Sequence, residues 1–317
     1  MADFLSHIGL GCSRLAGGVA EGGSRRLVDA ALRCGLRYFD TAPAYGGGRS
    51  EEVLGRALAG VKGEVQVCTK VGLPRIVPTI QAEFRSLLVG ALRRVLPQGV
   101  VASLRRREQA PRPGDERGYG RFERDFVRDS LEHSRLALQR DRLDAVLLHE
   151  PRLSDPPAET RALLEAMAGQ HRIGQLGAGT ARGPEELPLF GSLAQCTVEA
   201  SLPPDGREWI VHGLMRDFDS NALQTALARS GLVPAMPSLQ RFMSTDQHGA
   251  SVLLCAVLVG VAPARVLVST HSPSRLRALL AEGAELFGEL QGQPSARTAA
   301  LLGQLVRDYL AGRRSVS

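Results

Sequence analysis

Eight short runs rich in β-branched and apolar residues recur along the chain, several of them separated by stretches whose apolar residues fall at helical spacing. They are HIGLG (7–11), LRYFDTA (36–42), EVQVCTKVG (64–72), DAVLLHE (144–150), RIGQLGAG (172–179), AQCTVEA (194–200), EWIVHGL (208–214) and ARVLVST (264–270). Strands separated by helical stretches require crossover connections, which give parallel pairing with helices on the outer face. Eight parallel strands are what a closed (β/α)8 TIM barrel needs, so the alternation predicts one barrel domain over residues 1–317. Predicted helices include 27–34, 50–58 and 158–168, and the tail from 291 reads as helical to Leu310 and then frays.

Two irregularities interrupt the rhythm. Residues 75–122 form a long insertion after the third strand, helical around 80–95, then rich in Arg, Pro and Gly, and are read as a lid or excursion. The connection SLPPDGRE (201–208) between strands six and seven leaves almost no room for a helix, so one outer helix is expected to be missing. No repeat of 20–50 residues is visible, which argues against a solenoid.

The formal charge of +6 is concentrated: residues 75–128 hold twelve arginines against six acidic residues. With little aromatic interleaving and no nucleic-acid motif, the segment is read as solvated and no nucleic-acid partner is expected. Five scattered cysteines without CxxC spacing argue against zinc or a redox pair, so no metal and a cytoplasmic location are expected. The opening MADFLSHIGLGCSRL lacks a basic and then apolar leader pattern, and no run of eighteen apolar residues occurs, so no membrane span is expected.

Only two of the 39 basic residues are lysines, Lys62 and Lys70. In a chain that otherwise uses arginine, a lysine on a strand suggests a task for a compact ammonium. Lys70 ends its strand, as do Asp40 and His149, and Tyr45 lies in the glycine-rich loop after Asp40. Taken singly, each has an ordinary reading: Asp40 starts a turn, Tyr45 packs a loop, Lys70 meets solvent, His149 is structural. Together they fall at C-terminal strand ends, the active face of a parallel barrel. A tyrosine loses its proton near pH 10, so proton donation near neutrality needs an adjacent cation. Lys70 supplies that charge, Asp40 holds the lysine, and a neutral His149 can donate to a substrate carbonyl.

GLRYFDTAPAYGGGRSEEVLG (35–55) resembles the signature of the aldo-keto reductase family around its Asp and Tyr, TKVG resembles the family's lysine strand, and LLHEP its histidine strand. The resemblance spans roughly residues 7–282. It implies Tyr45 as general acid/base, Lys70 as modulator of its pKa, Asp40 as the lysine's partner and His149 as the carbonyl-orienting residue. The implied reaction is reversible hydride transfer between a nicotinamide cofactor and a small-molecule carbonyl or alcohol, such as an aldehyde, ketone or sugar.

No GxGxxG follows a strand, and the resemblance requires none. It implies instead a dinucleotide extended across the barrel mouth and held by VLVSTHSPSRLRALLA (266–281). There Ser269 and Thr270 end the eighth strand, Ser272 is a candidate N-cap before Pro273, and Arg275 resembles the contact to the 2′-phosphate of NADP. NADP is therefore expected over NAD, although Ser269 stands where many NADP-dependent members carry lysine. At the nicotinamide end, Gly179 and Thr180 occupy the places of a Ser-Asn pair, Thr197 that of a glutamine, and His212 that of a stacking aromatic. Either the cofactor is held mainly through phosphates and backbone, or nicotinamide has left this site. The alternatives to a reductase are a redox-neutral acid-base enzyme (elimination, isomerisation or cyclisation) and a non-catalytic binding subunit.

Overall fold

The structure is a computed structural model that describes residues 1–15, 21–76, 119–216, 218–232, 239, 246–291 and 296–314. Every one of the eight runs is a strand: β1 Ile8–Gly11, β2 Tyr38–Asp40, β3 Gln66–Val71, β4 Leu143–His149, β5 Ile173–Gly179, β6 Leu193–Thr197, β7 Glu208–His212 and β8 Arg265–Val268. They pair in parallel and in sequence order, and β8 returns to β1, closing the barrel.

Helices cover the outside, as crossover connections between parallel strands demand. Those whose bounds lie among the described residues are α1 Ala2–Ser6, α2 Glu21–Arg33, α3 Ser50–Leu58, α4 Arg124–Ala137, α5 Ala158–Gly169, α6 Ser220–Ser230, α7 Asp246–Gly260, α8 Pro273–Gln291 and α9 Ala296–Arg314. The short α1 lies at the N-terminal end of the barrel, where the Phe4 ring meets Phe287 at 5.5 Å and Arg265 donates to the carbonyl of Ser6 at 2.6 Å.

Between β6 and β7 the described chain holds no helix, as the length of SLPPDGRE requires. Three features differ from the sequence expectation. Helix α2 starts at Glu21, a turn and a half before residue 27, because the apolar stripe that marked it is only its buried middle. Helix α7 was not singled out; Val252, Leu253, Leu254, Cys255, Ala256 and Val257 are all buried, so it is apolar on every side and carries no helical period. Helix α9 runs on to Arg314 rather than fraying after Leu310, because it packs along α6 and α7 and buries Tyr309, whose hydroxyl accepts from the Asp219 backbone at 3.3 Å. Most of the expected insertion, 77–118, lies outside the described residues, including the helix expected near 80–95. Among the described residues no helix is long and apolar enough to cross a membrane.

The parallel register sets the layers at the barrel mouth. His149 stands opposite Gly179, Gly179 opposite Gln195, and Thr197 opposite His212. Side chains two apart on a strand share a face, so these pairings decide which of them enters the mouth and at what depth.

Candidate active site

Asp40, Lys70 and His149 come from the ends of three adjacent strands and are 3%, 2% and 7% exposed. Lys70 Nζ donates to both Asp40 carboxylate oxygens at 2.6 Å and to the Thr41 carbonyl at 3.1 Å. Burial opposes the ammonium, but the Asp40 carboxylate overrides it and holds Lys70 above its ordinary pKa. Tyr45 enters from the loop after β2. Its neighbour Gly46 sits at φ 59°, where a Cβ would lie 1.8 Å from the Leu15 carbonyl oxygen, so only glycine lets the loop close here. Lys70 Nζ is 5.2 Å from the Tyr45 ring centre. Burial raises the Tyr45 hydroxyl; the Lys70 ammonium counters it, and Asp40 adds to the rise.

The His149 ring stands edge-on to Tyr45, at 90° with 5.7 Å between centres. Burial first, then Lys70 and His212, push its pKa well below the usual histidine value, so it is neutral at pH 7. The ring lines the pocket, while its Nδ1 is buried and makes no hydrogen bond within the chain. These groups line a cavity of about 340 Å³ at the C-terminal mouth of the barrel.

A polar layer behind the tetrad holds the strand ends. Ser50, the first residue of α3, donates to the Cys12 carbonyl at 2.8 Å and contacts the Thr41 hydroxyl at 2.9 Å, tying β1 to β2. Glu51, 2% exposed, accepts from the Thr69 hydroxyl at 2.6 Å and pins β3 beside Lys70. Burial raises the Glu51 carboxyl above its ordinary range, with the Thr69 bond opposing. A raised carboxyl contributes stability that is complete below its unfolded value, about 4.3, and lost as pH rises through the folded value. Glu51→Gln keeps an oxygen acceptor for Thr69 without a charge. In urea unfolding it should match the wild type at pH 4 and exceed it at pH 8; a variant less stable at pH 8 would show that the ionised carboxylate is favourable.

The cavity gathers eight of the expected residues: Asp40, Tyr45, Lys70, His149, Gly179, Thr180, His212 and Ser269. Thr270, Ser272 and Arg275 do not line it. They form the start of α8, where Thr270 Oγ1 accepts from the Ser272 amide at 3.1 Å and Ser272 Oγ accepts from the Arg275 amide at 3.3 Å, the expected cap, with Arg275 exposed. Thr197 is also outside the lining, and the reading that it stands in for a glutamine is corrected. Gln195, two residues earlier on the same face of β6, occupies the cavity, is 2% exposed and donates to Asp40 Oδ2 at 3.0 Å. Thr180 lines the cavity with its polar atoms engaged: its hydroxyl donates to Glu150 at 2.7 Å and its carbonyl meets His212 Nε2 at 3.1 Å.

Sequence reasoning also missed Arg14, Glu150 and Arg216 in the lining. Arg14 and Arg216 follow β1 and β7 in loops that carry no pattern, whereas Glu150 stood in the open, directly after His149. All five cysteines are free, and Cys68 beneath the site is pushed up to about 12, chiefly by burial, so it stays a thiol. Among the described residues no cluster of three or more His, Cys, Asp or Glu is placed to hold a metal ion.

The model of the aldo/keto reductase family matches residues 7–180. Among curated proteins, the chain is 42% identical over 74 residues to the aldo-keto reductase YhdN of Bacillus subtilis (strain 168), covering 22% of each chain. It is 29% identical over 184 residues to the NADH-specific methylglyoxal reductase of Escherichia coli (strain K12), covering 55% of this chain and 48% of that protein. The matched segments thus span only about a fifth to a half of these relatives' lengths. Among solved structures, the aldo-keto reductase AKR11C1 from Bacillus halodurans in its holo form superposes with a TM-score of 0.61 at 18% identity, covering 95% of this chain and 91% of that one. At that identity the likeness concerns the fold.

Proposed function

The chain belongs to the aldo/keto reductase family, and from that premise we propose that it is an NADP-dependent cytoplasmic oxidoreductase that interconverts a small carbonyl compound and its alcohol. The observation that carries the reading is the buried Lys70 ammonium, held by Asp40 at 2.6 Å and 5.2 Å from the Tyr45 ring, with His149 edge-on to that ring. When bound at the mouth, a nicotinamide dinucleotide would supply the hydride. Tyr45 gives the proton to the carbonyl oxygen in reduction and takes it back in oxidation, and the Lys70 ammonium stabilises its phenolate. Asp40 keeps the ammonium in place. His149, neutral and lining the cavity, orients the carbonyl oxygen and stabilises the charge that develops on it.

The chain's own residues fit such a cofactor. With Thr180 engaged by Glu150 and His212, the grip on a carboxamide falls to Gln195, whose Nε2 is committed to Asp40 and whose Oε1 is an acceptor. Gly179 and His212 line the same wall. Ser269, Thr270 and the capped start of α8 provide hydroxyls and a positive helix end for phosphates, and Arg275 is exposed there for a 2′-phosphate. Reduction of a panel of small aldehydes, ketones and sugars, followed by loss of NADPH absorbance, tests the activity directly. Arg275→Ala should weaken NADPH binding about 10- to 100-fold, the worth of one charge-assisted contact, and leave NADH binding unchanged. Equal losses for both cofactors would remove Arg275 from the 2′-phosphate.

The engaged Thr180 also favours a second reading, a redox-neutral acid-base enzyme using the same tetrad. Turnover of a carbonyl substrate with stoichiometric NADPH consumption excludes it.

A further inference from the structure

Glu150 follows His149 directly and sits at φ 55°, a left-handed conformation that a non-glycine residue keeps only when its surroundings impose it. Those surroundings are explicit. Its amide donates to the Gly179 carbonyl at 2.8 Å, and its carbonyl accepts from the Gly120 amide at 2.7 Å. Its carboxylate accepts from the Thr180 hydroxyl and the Ala181 amide, each at 2.7 Å, and lies 3.4 Å from the Arg182 guanidinium. The side chain is 15% exposed, so these are largely desolvated contacts.

The grip passes from Glu150 to a third strand. Thr180, whose hydroxyl Glu150 holds, places its own carbonyl oxygen 3.1 Å from His212 Nε2. A carbonyl only accepts, so a neutral His212 carries its proton on Nε2 and leaves Nδ1 as an acceptor. Burial lowers the His212 pKa, with the Thr180 carbonyl opposing, which keeps the ring neutral at pH 7. A fixed tautomer matters in a cavity that also holds neutral His149: one wrongly placed imidazole proton turns an acceptor into a donor against any ligand.

We propose that Glu150 is a positioning residue of the active site, which, by gripping Thr180, holds the carbonyl that selects the Nε2–H tautomer of His212. The proposal rests on the nicotinamide reading only for the identity of the ligand that His212 meets; the tautomer belongs to the protein alone.

The test is imidazole 15N NMR on the ligand-free full chain labelled at histidine, with the His212 signals identified by their loss in His212→Asn. The wild type should show a protonated Nε2 and a bare Nδ1. In Glu150→Ala the Nδ1–H form should appear, while Glu150→Gln, which keeps an oxygen for Thr180, should retain the wild-type pattern. NADPH affinity should fall roughly three- to tenfold in the alanine variant, the worth of one neutral hydrogen bond, and recover with glutamine. A purely structural role would lower stability without moving the tautomer, and an unchanged His212 spectrum in a folded Glu150→Ala protein overturns the proposal. Should that variant not fold, Thr180→Val decides, since it removes the hydroxyl that Glu150 holds, together with the bond that oxygen accepts from the Arg182 amide at 3.0 Å, and leaves Glu150 in place; an unchanged spectrum there is equally fatal. Absence of NADPH binding to the wild type would refute the nicotinamide reading and leave the tautomer result standing.

Discussion

Replacing Tyr45 with phenylalanine is expected to lower kcat by about 10²–10⁴-fold, the usual worth of a positioned general acid, while the barrel stays folded. The ring remains to meet His149 edge-on and Lys70 at its face; what goes is the hydroxyl proposed to exchange the proton. Since burial raises the Tyr45 hydroxyl, the group holds its proton at neutrality, and in the proposed reaction would give it up only as negative charge forms on the substrate oxygen. The loss should therefore fall on kcat, with NADPH affinity and the circular dichroism spectrum unchanged. Undiminished turnover in this variant would remove Tyr45 from the chemistry and, with it, the assigned role of Lys70.

Replacing Lys70 with methionine should be costly twice over. The side chain fills similar volume, but Asp40 is left as a buried carboxylate without its cation, with the neutral Gln195 amide donating to it at 3.0 Å. Breaking one side of a buried ion pair typically costs about 3–5 kcal/mol, which urea unfolding resolves easily. The pH dependence follows from the direction of the shift. Because the folded pKa of Lys70 is raised, its contribution is complete below the unfolded value of about 10.4 and is lost as pH rises through the folded value. The stability gap between wild type and variant should thus be flat from pH 7 to about 10 and narrow above. Activity should also fall, since without the ammonium nothing counters the burial of the tyrosine hydroxyl. A loss below about 1 kcal/mol would mean that Asp40 takes up a proton or water in place of the lysine.

How much of this was legible in the sequence depended on whether a signal was local. The eight strand runs were legible because an interior strand of a parallel barrel is a short apolar stretch flanked by polar turns. The tetrad was legible because Asp40, Lys70 and His149 each interrupt such a stretch at its C-terminal end. Helix α7 was not, because burial on every side erases the period that marks a helix. Gln195 was missed for a related reason. Residues 195 and 197 share a face of β6, and only pairing with Gly179 and His212 in the neighbouring strands shows which one reaches the tetrad. Glu150 was visible as a residue, but its role depends on a positive φ and on partners thirty residues away, neither of which a sequence displays.

The central claim is that this pocket holds a nicotinamide dinucleotide, and titration of NADPH into the purified protein, with NADH as the comparison, tests it most directly through the cofactor fluorescence. The account predicts saturable NADPH binding, tighter than NADH, with the preference lost in Arg275→Ala. Binding of neither cofactor by a folded protein would contradict it.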